Sequence, residues 1–285
     1  MRFPPRSADA PLLRRAQAAL DVRELVSFDR MQAELGLGPN GALVHCMEHL
    51  AEHCDWLAER LAPLLASDTY LIFDCPGQAE LLTAHDALPR VARALEGRAC
   101  GVRLACLHLV DAHLCADAGK FLAALLLSLS AMLHLGLPHV NALSKVDLIE
   151  SYGALPFDLS FYAAGGGDAA RLAEAVAAGG ARARHAKLAR GLCEVAEDYG
   201  LVSFATLDVT DEASMRRVLA LCDQANGAVF AGLAAAAARR GEAPAQPHAY
   251  SVSTGAAAWP SERLMDVAEK FMPLREAASL QPPEV

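Results

Sequence analysis

The chain has 285 residues, 54% of them hydrophobic, enough apolar side chain to bury a sizeable core, which excludes disorder throughout. Its 34 acidic side chains outnumber 25 basic ones, so there is no broad basic footprint for a nucleic acid, although a nucleotide needs only local donors. Eight cysteines form no Cys-x-x-Cys pair, the N-terminus has no signal-peptide core, and the longest apolar run, Phe121 to Leu135, is shorter than the roughly 20 residues that span a bilayer. The expectation is a cytoplasmic protein with free thiols and no membrane segment.

In chain order, residues 1–20 are rich in Pro, Arg and Ala and carry no recognisable motif. Leu35-Gly36-Leu37-Gly38-Pro39-Asn40-Gly41 is a stiff turn between helical stretches, with Asn40 placed to cap a helix over Gly41 to Leu61. Tyr70-Leu71-Ile72-Phe73 reads as a buried strand ending on Asp74, before a Pro-Gly breaker. Leu104 to Val110 repeats the design and ends on Asp111. After a helix over Lys120 to Leu135, Pro138 to Leu143 does so again and delivers Ser144-Lys145-Val146-Asp147. Residues 154–200, with Gly165-Gly166-Gly167 and two Ala-rich stretches, read as a helical insertion. Leu201 to Val209 is a fourth strand and Asp211 to Gly227 a helix with a glycine stop. Residues 231–260 have a linker's composition, and 261–285 a helical segment with Ser261 as cap and spaced Leu264, Val267, Phe271 and Met272. Alternating strands and helices predict an α/β fold with a mostly parallel sheet, whose ligands bind beyond the carboxyl ends of the strands.

Two motifs stand at those ends. In Asp74-Cys75-Pro76-Gly77-Gln78, a carboxylate at a strand end suits magnesium held through water, and the glycine lets a backbone N–H approach a terminal phosphate. Gln78 then stands where a glutamine orients the attacking water in GTPases. Taken alone, the same residues also describe an Asx-type turn. In Ser144-Lys145-Val146-Asp147, the aspartate can accept from both the ring N–H and the exocyclic amino group of guanine, with the lysine stem along the base. Adenine offers no such donor pair, yet a solvated Lys-x-Asp turn is common.

In order along the chain stand Asp21-Val22-Arg23-Glu24-Leu25-Val26, Gly38-Pro39-Asn40-Gly41, Met47-Glu48, Asp55-Trp56-Leu57, Asp74 to Gln78 with Glu80, His108-Leu109-Val110-Asp111, Leu137-Pro138-His139 and Leu143 to Asp147. This series resembles the GPN-loop GTPase family over about residues 21–230, with Ser144 and Leu201-Val202-Ser203-Phe204 pointing to its second-paralogue branch. The resemblance implies a P-loop NTPase-like α/β domain that binds GTP with Mg2+ and switches as a homodimer, or as a heterodimer with paralogues. It also implies a role in assembly and nuclear import of RNA polymerases II and III, shuttling from cytoplasm to nucleus, without direct binding of nucleic acid. By resemblance, Gly38-Pro39-Asn40 of one subunit reaches the other's phosphates, so Asn40 acts in trans. Asp74 serves Mg2+ through water, Gly77 the γ-phosphate and Gln78 the water. Lys145 and Asp147 read the base, braced by Ser144.

One departure is large. No Gly-x-x-x-x-Gly-Lys-Ser/Thr stretch occurs in the sequence, although its backbone N–H groups, lysine and hydroxyl hold the phosphates in P-loop proteins. The expectation is a chain without the first strand, loop and helix, on the order of 30 residues, and so inactive or weak by itself. The alternative is a non-catalytic partner that lends its Gly-Pro-Asn loop to a paralogue. His45, His49 and His53 repeat every four residues near Glu48 and Glu52, a spacing that superficially suits a metal face, although exposed His-rich helix faces are common and no convergent ligand from elsewhere is evident. The remaining cysteines read as core residues rather than nucleophiles.

Overall fold

The computed structural model describes residues 18–66, 69–97, 100–166, 168–178 and 183–228, with the side chains of 183 and 184 left aside. The linker and C-terminal segment expected over 231–285 lie outside them, as do most of residues 1–20. The chain divides into two compact units, residues 1–104 with 133–136, and 105–132 with 137–285.

The first unit is helical among its described residues. Asp21 caps a short 3₁₀ turn, its carboxylate accepting from Arg23 N at 2.9 Å. Helix α1 (Phe28–Leu35) stops at Gly36, whose left-handed φ of 62° ends it at no Cβ cost. Helix α2 (Pro39–Glu52) begins at Gly38 as N-cap, with Pro39 at the first helical position, where its missing N–H costs nothing. Asn40 is therefore inside the first turn rather than its cap. The single helix expected over Gly41 to Leu61 breaks at His53, where α3 (Cys54–Leu65) begins. There the His53 N–H donates to the His49 and Leu50 carbonyls at 3.1 Å, and its ring also contacts the His49 carbonyl at 2.8 Å. Short α4 (Ala79–Thr83) and α5 (Ala87–Glu96) complete the unit. Its core joins Met47, Leu50, Leu57, Leu61, Leu81, Leu88, Val91 and Leu95.

Tyr70 to Phe73 forms no strand. Leu71 and Phe73 pack on that core, while Ile72 is 85% exposed. The period-2 alternation is present, but a strand exists only by pairing, and no ladder partner occurs among the described residues.

The second unit holds β1 (Cys106–Asp111), α6 (Ala118–Leu135, to Met132 within this unit), β2 (His139–Ser144), α7 (Leu159–Ala163), α8 (Ala169–Ala178), α9 (Ala183–Tyr199), β3 (Phe204–Leu207) and α10 (Glu212–Ala225). The sheet runs β1-β2-β3, all parallel, an α/β arrangement in which Asp111 stands opposite Ser144 and Ser144 opposite Leu207. All three strands thus deliver their loops at one end.

Val110, Leu143 and Phe204 pack with Phe121, Leu125 and Leu129 of α6, with Tyr162 of α7 and with Leu172 of α8. On the opposite face, Val140, Ala142, Ala205 and Leu207 meet Val218, Cys222 and Ala225 of α10. Helix α6 is long and apolar enough for a membrane span by length and composition, yet its Phe121, Leu122, Leu125 and Leu129 are core side chains. The buried Tyr162 hydroxyl donates to Cys115 O at 2.9 Å, tying α7 to the turn after β1.

Candidate functional site

At the carboxyl end of the sheet, Ser144 Oγ donates to Val110 O at 3.2 Å and joins β2 to β1 by a side chain where the ladder ends. Lys145 comes next with φ 60° and ψ 37°, the one non-glycine residue with positive φ among those described. That conformation costs a lysine about 1 kcal/mol. It is held by the adjoining 3₁₀ turn over Val146–Tyr152, whose Val146 and Ile149 are buried.

The Lys145 ammonium pairs with the Asp111 carboxylate. Asp111 also accepts from His113 N at 3.0 Å. Burial pushes the Asp111 carboxyl up, but the Lys145 hydrogen bond and the His113 N–H outweigh it and hold it below the usual range. The same bond raises Lys145. Asp147 is half-buried, and its carboxylate accepts no hydrogen bond and joins no ion pair among the described residues. It is an open double acceptor, as wanted by a donor pair such as N–H plus NH2.

The other expected residues belong to the first unit. Gly38, Pro39 and Asn40 are exposed, and the Asn40 amide makes no hydrogen bond among the described residues. Asp74 is exposed and likewise without a hydrogen bond, while Pro76 anchors the loop by burial. Gly77 has no positive φ, and a Cβ on it would meet nothing within 4 Å. Its own fold does not demand glycine. Gln78 precedes α4 with only its carbonyl engaged, accepting from Leu81 N at 3.2 Å. Its side-chain Oε1 is buried without a partner, a state that costs about 1–3 kcal/mol until a donor arrives.

Thus Ser144, Lys145 and Asp147 come together in one unit, and Gly38, Pro39, Asn40, Asp74, Gly77 and Gln78 belong to the other. Asp111 is the residue the motifs left without a role. Its signal is parallel pairing, which puts the last carboxylate of β1 next to the loop leaving β2.

The histidine face of α2 has other partners. Glu48 faces His45 Nδ1 at 3.4 Å and His85 Nε2 at 3.0 Å, and the His49 and His53 rings stack at 4.2 Å. Among the described residues no three His, Cys, Asp or Glu converge as metal ligands.

A family profile described as "Conserved hypothetical ATP binding protein" matches residues 15–228. The chain is similar to GPN-loop GTPase QQT1 of Arabidopsis thaliana, 42% identical over 257 residues, covering 90% of this chain and 82% of that protein. It is 49% identical over 213 residues to GPN-loop GTPase 2 of Xenopus tropicalis, covering 75% of this chain and 69% of the relative. Among solved structures, a GTPase from Pyrococcus abyssi in its apo form shares the fold, with a TM-score of 0.53 and 22% identity, covering 72% of this chain and 77% of that one. Ordered motifs, parallel sheet and relatives agree: the chain belongs to the GPN-loop GTPase family, on its second-paralogue side.

Proposed function

We propose that the chain binds guanine nucleotide with Asp147 reading the base, and that it works as one subunit of a GTP-dependent dimeric switch. The observation that carries this reading is the Asp147 carboxylate, without a partner among the described residues, two positions after a backbone held left-handed at Lys145. The relatives' names supply the GTPase class.

The residues fit a magnesium–nucleotide complex. Asp74 offers an exposed hard oxygen free of other bonds, Gly77 leaves open space, and Gln78 Oε1 lacks a donor. Mg2+ would neutralise charge developing on the phosphates. Asp74 would hold it through water, Gly77 N–H would face the terminal phosphate, and Gln78 would accept from the attacking water. Asn40, on its stiff turn, would complete the partner subunit's site. Partners of this class are a second copy or a paralogue, and the clients are RNA polymerases II and III, reached by shuttling from cytoplasm to nucleus.

The sequence has no Gly-x-x-x-x-Gly-Lys-Ser/Thr stretch to supply phosphate donors, so this 285-residue polypeptide binds GTP weakly and hydrolyses it negligibly by itself. A second reading, a pseudo-GTPase that lends Asn40 to a paralogue, is supported by the exposed Asn40 amide, which makes no hydrogen bond among the described residues. Calorimetry of the purified chain with GTP, GDP and ADP in Mg2+ tests both halves. The expected result is weak binding that prefers guanine. Micromolar GTP affinity would refute the weakness, and equal affinity for ADP would refute the base reading.

A further inference from the structure

The ion pair between Asp111 and Lys145 has no part in the direct reading of the base by Asp147. Asp111 ends β1 and Lys145 comes directly after β2, so their meeting depends on the parallel register that sets Asp111 opposite Ser144. The Asp111 carboxylate is only 27% exposed, and it is fixed at its other oxygen by the His113 N–H. The His113 ring lies edge-on to Tyr152 with centroids 6.1 Å apart, which ties the turn after β1 to the turn after β2. The lysine is 56% exposed and has no other side-chain hydrogen bond among the described residues. Unheld, its stem would sample many rotamers, and binding would have to order it.

We propose that Asp111 is a positioning residue of the base site: it grips the Lys145 ammonium so that the apolar stem is laid out beforehand as a platform for guanine, while Asp147 stays free to accept. The proposal rests on the guanine-site reading and adds a residue that does not touch the base. Asp111 is suited because it is acceptor-only, anchored by its own strand end, and kept ionised by its partners. Asp147 thereby has no cation to neutralise it and keeps both oxygens for a ligand.

The test uses guanosine, which lacks phosphates and so probes the base site alone, against the full chain and its Asp111→Asn and Asp111→Glu variants. Saturation-transfer NMR reads guanosine and adenosine affinity, and the Lys145 ammonium titration is followed in the same samples. The wild type is expected to prefer guanosine. Asp111→Asn should weaken guanosine about fivefold, the scale of a partly exposed ion pair, and release the raised Lys145 titration, and Asp111→Glu should restore both. Guanosine bound equally by wild type and Asp111→Asn, or weakened without rescue by glutamate, overturns the positioning role while leaving the base site standing. If the wild type itself shows no preference for guanosine, the base-site reading falls and the role given to Asp111 falls with it, whatever Lys145 does.

Discussion

At the residue scale, Asp147 is the sharpest test, because its carboxylate makes no native hydrogen bond among the described residues. Asp147→Asn should therefore leave the folding stability within about 0.5 kcal/mol of wild type and remove the preference for guanine over adenine. Paired melting and nucleotide titration measure the two effects separately. A large loss of stability would mean the residue serves the fold instead. The pair Lys145 and Asp147 was legible in the sequence because strand, Lys and Asp are contiguous. The grip of Asp111 on Lys145 was not, because it spans 34 positions and depends on strand register. The open state of Gln78 Oε1 was equally hidden, since burial belongs to packing rather than to pattern.

Also at this scale, His139 of β2 is 3% exposed, with its ring edge-on to His108 of β1 at 5.8 Å. Asn141, Met132 and Cys106 share this surrounding. Burial, followed by repulsion from His108, lowers His139 to about 4, and burial lowers His108 as well. Above the ordinary value near 6.5, folded and unfolded chains are both neutral there and stability is complete. As pH falls from about 6.5 toward 4 the unfolded chain takes up a proton that the folded one refuses, so stability is lost, by about 3 kcal/mol for His139. Urea midpoints measured between pH 7.5 and 4.5 should fall steadily for wild type and less steeply for His139→Leu. Parallel slopes would place the acid-sensitive group elsewhere.

At the element scale, the three paired strands were legible as short apolar runs, two of them closed by Asp111 and by Ser144-Lys145, while the third, expected over Leu201 to Val209, pairs only over Phe204–Leu207. Tyr70 to Phe73 has the same local look and still forms no ladder, because pairing is a non-local property that no run of side chains contains. Likewise, the break between α2 and α3 falls at His53, whose backbone leaves the helical region with φ −114° and ψ 43°, a change that apolar periodicity does not register. The glycine turn after α7 shows the converse, a sequence signal whose reason appears only in three dimensions. Gly165 has φ 73°, and a Cβ there would stand 1.9 Å from Val202 O. Gly165→Ala must move backbone leading into β3, adding a steric cost to left-handed strain of about 1–3 kcal/mol. Chemical denaturation should show a loss above about 2 kcal/mol. Gly191→Ala, on α9 with open space around it, should be neutral or stabilising.

At the scale of the whole molecule, the proposed switch depends on a second subunit. The Gly38-Pro39-Asn40 turn is held from both sides, by the left-handed Gly36 before it and by Pro39 at the head of α2, yet the Asn40 amide meets nothing among the described residues. A stiff, exposed turn carrying a free amide has the form of a group donated to another chain, since pre-ordering it removes an entropic cost at the interface. If Asn40 acts on a partner's phosphates, Asn40→Ala should leave the chain's own stability within about 0.5 kcal/mol of wild type. The same variant, mixed with a paralogue that hydrolyses GTP, should lower that paralogue's turnover by about tenfold or more, the scale of one lost transition-state donor. Dimer formation, followed by sedimentation, should survive the substitution, because a single exposed amide is small beside the roughly 1,200 Å2 or more that a stable interface buries. Unchanged turnover in a mixture shown to be dimeric would remove Asn40 from the site and leave the turn a helix start and nothing more.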